Sequence, residues 1–199
     1  MAKLSFYYGA MGCSKTANAL MQRFQYIRKN KRVWLIKSEV DSRDDRVDND
    51  AKYVLVKSRI GIEAEACPIK VDEDITDVLM REWISVPDLI ICDEAQFLTR
   101  DQVDQLKYIS EVTDIPVCCY GLRTDFKTNL FPGSMRLFEI ADEIHEISSI
   151  CSCGNSAIVN ARFDAAGNLI TEGAQVELGG DDKYEALCWS CWKELQDER

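Results

Sequence analysis

The segment that most constrains this chain is the octapeptide Gly9-Ala10-Met11-Gly12-Cys13-Ser14-Lys15-Thr16. A β-prone apolar run, Leu4 to Tyr8, precedes it. A stretch from about Thr16 to Lys29 follows, in which Ala19, Leu20, Phe24 and Ile27 recur at helical spacing. Strand, glycine-bearing turn and helix, in that order, are the setting of a phosphate loop, G-x-x-x-x-G-K-[ST]. Its chemistry comes from geometry: successive backbone N–H groups at a helix start face a concavity and bind phosphate oxygens. Lys15 adds a point charge for the β- and γ-phosphates of ATP, and the Thr16 hydroxyl can ligate Mg²⁺. Ser14 departs from the pattern, because glycine is the residue that takes backbone angles costly to others. With Lys15 and Thr16 both present and Gly12 two residues earlier, the expectation is a working loop whose residue 14 tolerates a Cβ.

Further along, Arg32 to Lys37, Leu89 to Cys92 and Ile115 to Tyr120 read as strands, and Asp72 to Trp83 and Arg100 to Glu111 as helices. Asp41 to Asp50 has almost nothing to bury and reads as a mobile loop. The alternation predicts an α/β fold, a P-loop NTPase-type mostly parallel sheet. Leu89-Ile90-Ile91-Cys92 ends in Asp93 and Glu94. In an open α/β sheet the ligand crevice lies at the carboxyl ends of the strands. Asp93 is therefore placed to hold Mg²⁺ together with Thr16, and Glu94 to accept a proton from an attacking hydroxyl. The same acidic pair occurs in ATP-driven motors, where the glutamate orients water. This chain has no second phosphate loop for a motor of that kind.

The net charge of −10 disfavours polymeric nucleic acid as a partner, since gripping its phosphates requires a basic face. No apolar run reaches membrane-spanning length, and Met1-Ala2-Lys3-Leu4 has no signal-peptide pattern. Nine cysteines without a secretory signal point to a reducing compartment, hence a cytoplasmic location. Cys92, Cys118 and Cys119 lie in strands and read as packing residues. His145, the single histidine, reads as a surface residue. After about Ile150 the texture changes to paired cysteines, short β-prone runs such as Ala157 to Arg162, and Gly-rich turns. Cys151-Ser152-Cys153 and Cys188-Trp189-Ser190-Cys191 supply four thiolates, suited to one tetrahedral structural Zn²⁺. Gly154 and Trp189 fit knuckle turns packed on a small core. The expected division is residues 1–149 as the α/β domain and 150–199 as a small C-terminal zinc-binding lobe.

The phosphate loop, Asp93-Glu94-Ala95-Gln96-Phe97-Leu98, Tyr120-Gly121-Leu122-Arg123-Thr124-Asp125-Phe126, and the cysteine pairs flanking Gly179-Gly180-Asp181-Asp182-Lys183-Tyr184 occur in one order. Together they resemble the zinc-containing type II thymidine kinases over essentially the whole chain. The resemblance implies transfer of the γ-phosphoryl of ATP to the 5′-hydroxyl of thymidine, giving dTMP, with Glu94 as base. It implies ATP contacts from residues 9–16 and from Asp93, Glu94, Ala95 and Gln96. Asp41 and Arg43 would lie near the 5′-hydroxyl, and Phe97, Phe126 and Phe131 would wall the thymine. Arg162 would sit by the deoxyribose and Tyr184 over the ring. A covering loop, Asp164 to Glu177, would leave Gln175, Val176, Glu177 and Leu178 reading the base through their backbone, so that Gln175→Ala costs little. A homotetramer with dTTP feedback is implied as well. Two alternatives stand beside this: a P-loop ATPase or nucleotide switch, and a non-catalytic nucleotide-binding protein with a degenerate loop.

Overall fold

The computed structural model describes residues 1–39, 52–82, 86–175 and 184–197. Its larger part alternates strands and helices: β1 (Leu4–Tyr8), α1 (Lys15–Ile27), β2 (Val33–Ser38), β3 (Val54–Lys57), β4 (Glu63–Ile69), α2 (Ile75–Glu82), β5 (Leu89–Asp93), α3 (Arg100–Thr113), β6 (Val117–Gly121), α4 (Pro132–Ile140) and β7 (Glu143–Glu146). A single 3₁₀ turn, Ala95–Phe97, follows β5. The seven strands form one sheet in the order β3-β4-β2-β5-β6-β1-β7. Every neighbouring pair is parallel except β3 with β4. Parallel strands covered on both faces have no solvent side, which is why β5 and β6 are wholly buried runs. One core joins Phe6, Ile36 and Ile90 to Val103 and Leu106 of α3 and Leu137 of α4. The other joins Leu35, Ile91 and Tyr120 to Ala19 and Leu20 of α1.

Local chemistry sets the helix ends. Thr99 and Gln102 form a reciprocal capping box at the start of α3. The helix expected over Asp72–Trp83 starts only at Ile75. Asp74 accepts the backbone N–H groups of Thr76 (2.7 Å) and Asp77 (3.2 Å), and so fixes the start there. β3, β4, α4 and β7 go beyond the sequence reading. The expected loop over Asp41–Asp50 lies outside the described residues. Cys92, Cys118 and Cys119 are buried as expected. His145 is half-exposed on the outermost strand, β7, stacked on Tyr7 with ring centroids 4.7 Å apart.

Beyond β7 a separate antiparallel sheet follows, ordered β10-β8-β9, from β8 (Val159–Phe163), β9 (Leu169–Ile170) and β10 (Tyr184–Leu187), with helix α5 (Trp189–Asp197) behind it. Its own core is small: Cys151, Ala157, Val159, Ala161, Leu169, Leu187, Cys188 and Trp192. Trp189 does not pack into that core, contrary to expectation. It opens α5 and is 48% exposed, while Trp192, on the inner side of the same helix, fills the space. Among the described residues no helix is long and apolar enough to cross a membrane.

Candidate active site

The carboxyl ends of β1 and β5 bring the phosphate loop and the acidic pair together. Met11, Gly12, Ser14, Lys15, Thr16 and Glu94 line one cleft of about 120 Å³. Its far wall is the β3–β4 turn, Lys57 to Ile60, which sequence reasoning missed. Only the S-R-I-G turn signature could have marked that turn. Ser58 locks it, its hydroxyl donating to the Ile62 carbonyl (3.0 Å) and accepting from the Ile62 N–H (3.2 Å). The Arg59 guanidinium reaches to within 3.4 Å of where a Cβ on Gly12 would stand.

Within the loop, Lys15 Nζ donates to the carbonyls of Ala10 (2.8 Å) and Gly9 (3.3 Å), so its charge is held at the cleft. A Cβ at Gly9 would meet the Ile147 carbonyl oxygen at 2.4 Å, which requires glycine there. Ser14 adopts the left-handed conformation, φ 66° and ψ 28°, immediately before α1. The loop therefore keeps the glycine geometry with a serine in it, at a cost of ~1–2 kcal/mol. Glu94 is also left-handed, at φ 52°. Strained backbone at two residues of one cleft is a pattern found where geometry serves function.

Thr16 Oγ1 donates to Asp93 Oδ2 at 3.0 Å, which sets side by side two oxygen atoms that could hold a divalent cation. Asp93 is 3% exposed. Burial, then the neighbouring charge of Glu94, pushes its carboxyl up to about 7, against the opposing hydrogen bond from Thr16. A buried carboxyl held so high is one that a divalent cation would ionise. Gln96 is buried; its Nε2 donates to Glu94 Oε2 at 2.6 Å and its Oε1 accepts from the Leu122 N–H at 3.0 Å. It aims the glutamate, and neither it nor the fully buried Ala95 lines the cleft. Ala10 and Cys13 are buried in the same way behind the loop.

The residues expected around a base form two groups. Phe97 and Phe131 meet edge to face at 5.5 Å. Phe126 is buried beneath the Arg162 guanidinium at 5.2 Å, and Tyr184 pairs with Arg162 across β10 and β8. Gln175 links the two, its Nε2 donating to Asp125 Oδ2 (3.0 Å) and to the Leu130 carbonyl (3.5 Å). Its side chain is thus an anchor, which raises the cost expected for Gln175→Ala. Asp41, Arg43, Val176, Glu177 and Leu178 lie outside the described residues.

In the smaller lobe the four sulfurs of Cys151, Cys153, Cys188 and Cys191 lie within 4.8 Å of one another, with Cys153 Sγ and Cys188 Sγ 3.6 Å apart. Zinc–sulfur bonds of about 2.3 Å give a tetrahedron with edges of about 3.8 Å, so this donor set fits Zn²⁺. Hydrogen bonds from the Cys153 and Cys188 backbone pull the Cys151 thiol down to about 6, while hydrogen bonding to the Cys153, Cys188 and Cys151 side chains raises that of Cys191. The cluster therefore forms one thiolate readily and resists losing further protons until a cation offsets the charge.

A phosphate loop, the bonded pair of Thr16 and Asp93 beside it, a base candidate and a four-thiol lobe define the chain as a P-loop phosphotransferase. The family model described as "Thymidine kinase" matches residues 2–192. The chain belongs to the thymidine kinase family. It is 40% identical over 189 residues to a thymidine kinase of Zymomonas mobilis, covering 94% of each chain. It is 39% identical over 201 residues to one of Rhizobium meliloti, covering 100% of each, and 40% identical over 195 residues to one of Vibrio cholerae, covering 98% of each. These matches do not favour the ATPase or degenerate-loop alternatives.

Proposed function

We propose that the chain transfers the γ-phosphoryl of ATP to the 5′-hydroxyl of thymidine, giving dTMP and ADP in pyrimidine deoxynucleotide salvage. The single observation that supports it most is the convergence of Lys15, Thr16 and Glu94 on one cleft, with Asp93 bonded to Thr16 beneath it. The loop N–H groups and Lys15 hold the phosphates. Thr16 and Asp93 would hold Mg²⁺, which when bound would supply positive charge against that of the phosphates. Glu94, aimed by Gln96, takes the proton of the 5′-hydroxyl as its oxygen forms the new bond to phosphorus and the bond to ADP breaks. Phe97, Phe126 and Phe131 wall the base, with Arg162 and Tyr184 beside them. Asp41 and Arg43 serve the 5′-hydroxyl, and Gln175 to Leu178 offer backbone groups to the base.

The same reading divides the chain into an α/β domain, 1–149, and a lobe, 150–199, built on one structural Zn²⁺. It includes a homotetramer subject to dTTP feedback. The apolar stripe of Met21, Phe24 and Ile27 on the exposed side of α1 supports self-association. Free cysteines throughout the chain support a reducing, cytoplasmic setting. ADP release measured against a panel of nucleosides tests the activity. Release stimulated by thymidine and not by purine nucleosides is expected, and nucleoside-independent release would overturn it.

A further inference from the structure

Strand β8 faces two ways. Val159 and Ala161 point into the small core with Cys151 and Cys188. The alternate positions within the strand, Asn160 and Arg162, turn toward the kinase sheet, as the two-residue period of a strand requires. There the Ile158 carbonyl accepts from Arg123 Nη2 (3.4 Å), and Arg162 lies over Phe126. Between them is Asn160, 2% exposed. Its Oδ1 accepts the backbone N–H of Met11 at 2.8 Å, and its Nδ2 donates to the Thr124 carbonyl at 2.8 Å. One partner can only donate and the other only accept, so the amide orientation is fixed by chemistry. A single buried side chain from the smaller lobe thus joins the phosphate loop to the loop after β6. It pairs with Ala186 of β10, two residues before Cys188.

We infer that Asn160 is a positioning residue for the phosphate donor, through which the four-thiol lobe holds the phosphate loop in its binding shape. The inference rests on the proposed use of ATP. Met11 belongs to the turn whose backbone N–H groups must converge on phosphate. A loop free to rotate there would spend part of its time with those groups misaimed. With Asn160 gone, the part-buried Met11 N–H loses its acceptor and the buried Thr124 carbonyl its donor, and the loop would move to satisfy them.

Steady-state kinetics of Asn160→Leu tests this, with the zinc content of the same preparation measured. The KM for ATP should rise about tenfold, clearly more than the KM for thymidine, with zinc per chain unchanged. An unchanged KM for ATP, or an equal rise for both substrates, overturns the inference. If Asn160→Leu yields no folded protein, Asn160→Ser carries the test on the same two constants, because its side chain is too short to span both partners. A wild type without thymidine-dependent ADP release would instead overturn the proposed function.

Discussion

The seven-stranded sheet carries helices against both faces and two separate cores, and its central strands expose nothing. The three-stranded sheet behind it has one thin core, and Cys151 and Cys188 are part of that core. Small hydrophobic units seldom hold themselves together and commonly rely on a metal or disulfides. The first region is therefore stable by burial and free to strain its backbone at Ser14 and Glu94. On the proposed reading the second depends on a metal held by its four sulfurs, and what it presents to the site depends on that metal too.

The largest effect should come from breaking that dependence. Cys188→Ser leaves three thiolates and an open vertex. Zinc binding is worth on the order of 10 kcal/mol in small zinc domains, so the variant should lose its metal and the lobe should unfold before the sheet. Metal analysis with thermal unfolding read by two probes checks this. Retained zinc and one unshifted transition would erase the contrast between the regions.

The next effect belongs to the sheet. Glu94→Gln should lower turnover by about 10²–10⁴-fold while leaving ATP affinity and zinc content alone. Near-normal turnover at neutral pH would remove Glu94 from the role of base.

Asp93 adds a pH signature. Its carboxyl is held near 7 in the fold, against 3.8 as the ordinary value. A raised carboxyl favours the folded state fully below the unfolded value, and that contribution is lost as pH rises through the folded one. Protein kept free of Mg²⁺ but with its zinc in place should thus lose stability between about pH 4 and 7, a decline that Asp93→Asn removes. At pH 6, MgATP should release up to about one proton per chain, seen as a dependence of binding enthalpy on buffer ionisation heat. No proton release would mean that Asp93 is already ionised before the metal arrives.

Gln175→Ala should raise the KM for thymidine by about tenfold, because a hydrogen bond to a buried carboxylate is worth about 1.5–3 kcal/mol. A change within error would mean that the side-chain anchor to Asp125 does not set the position of the backbone groups proposed to read the base.

The smallest effect is at Ser14. Glycine relieves the left-handed strain, so Ser14→Gly should bind ATP equally or a few-fold more tightly, about 1 kcal/mol at most. Calorimetry on both proteins decides it. ATP binding by the variant alone would mark the native loop as degenerate.

Residues that act together as chain neighbours were legible in the sequence. The phosphate loop takes its shape because a strand end, a turn and a helix start follow one another, and the acidic pair takes its place because it directly ends a buried strand. The two cysteine pairs announce a metal by their own short spacing. Their meeting in one cluster, with Trp192 rather than Trp189 as the packed aromatic, took the fold of the lobe. Asn160 bonds a residue 149 positions away, and Gln175 a residue 50 positions away. The turn from Lys57 to Ile60 faces the loop only because β3 and β4 project across it. Local geometry sets which groups can bind phosphate, and a sequence encodes it in adjacent residues. Which distant side chain braces those groups depends on how two sheets pack, and no spacing in the chain specifies that.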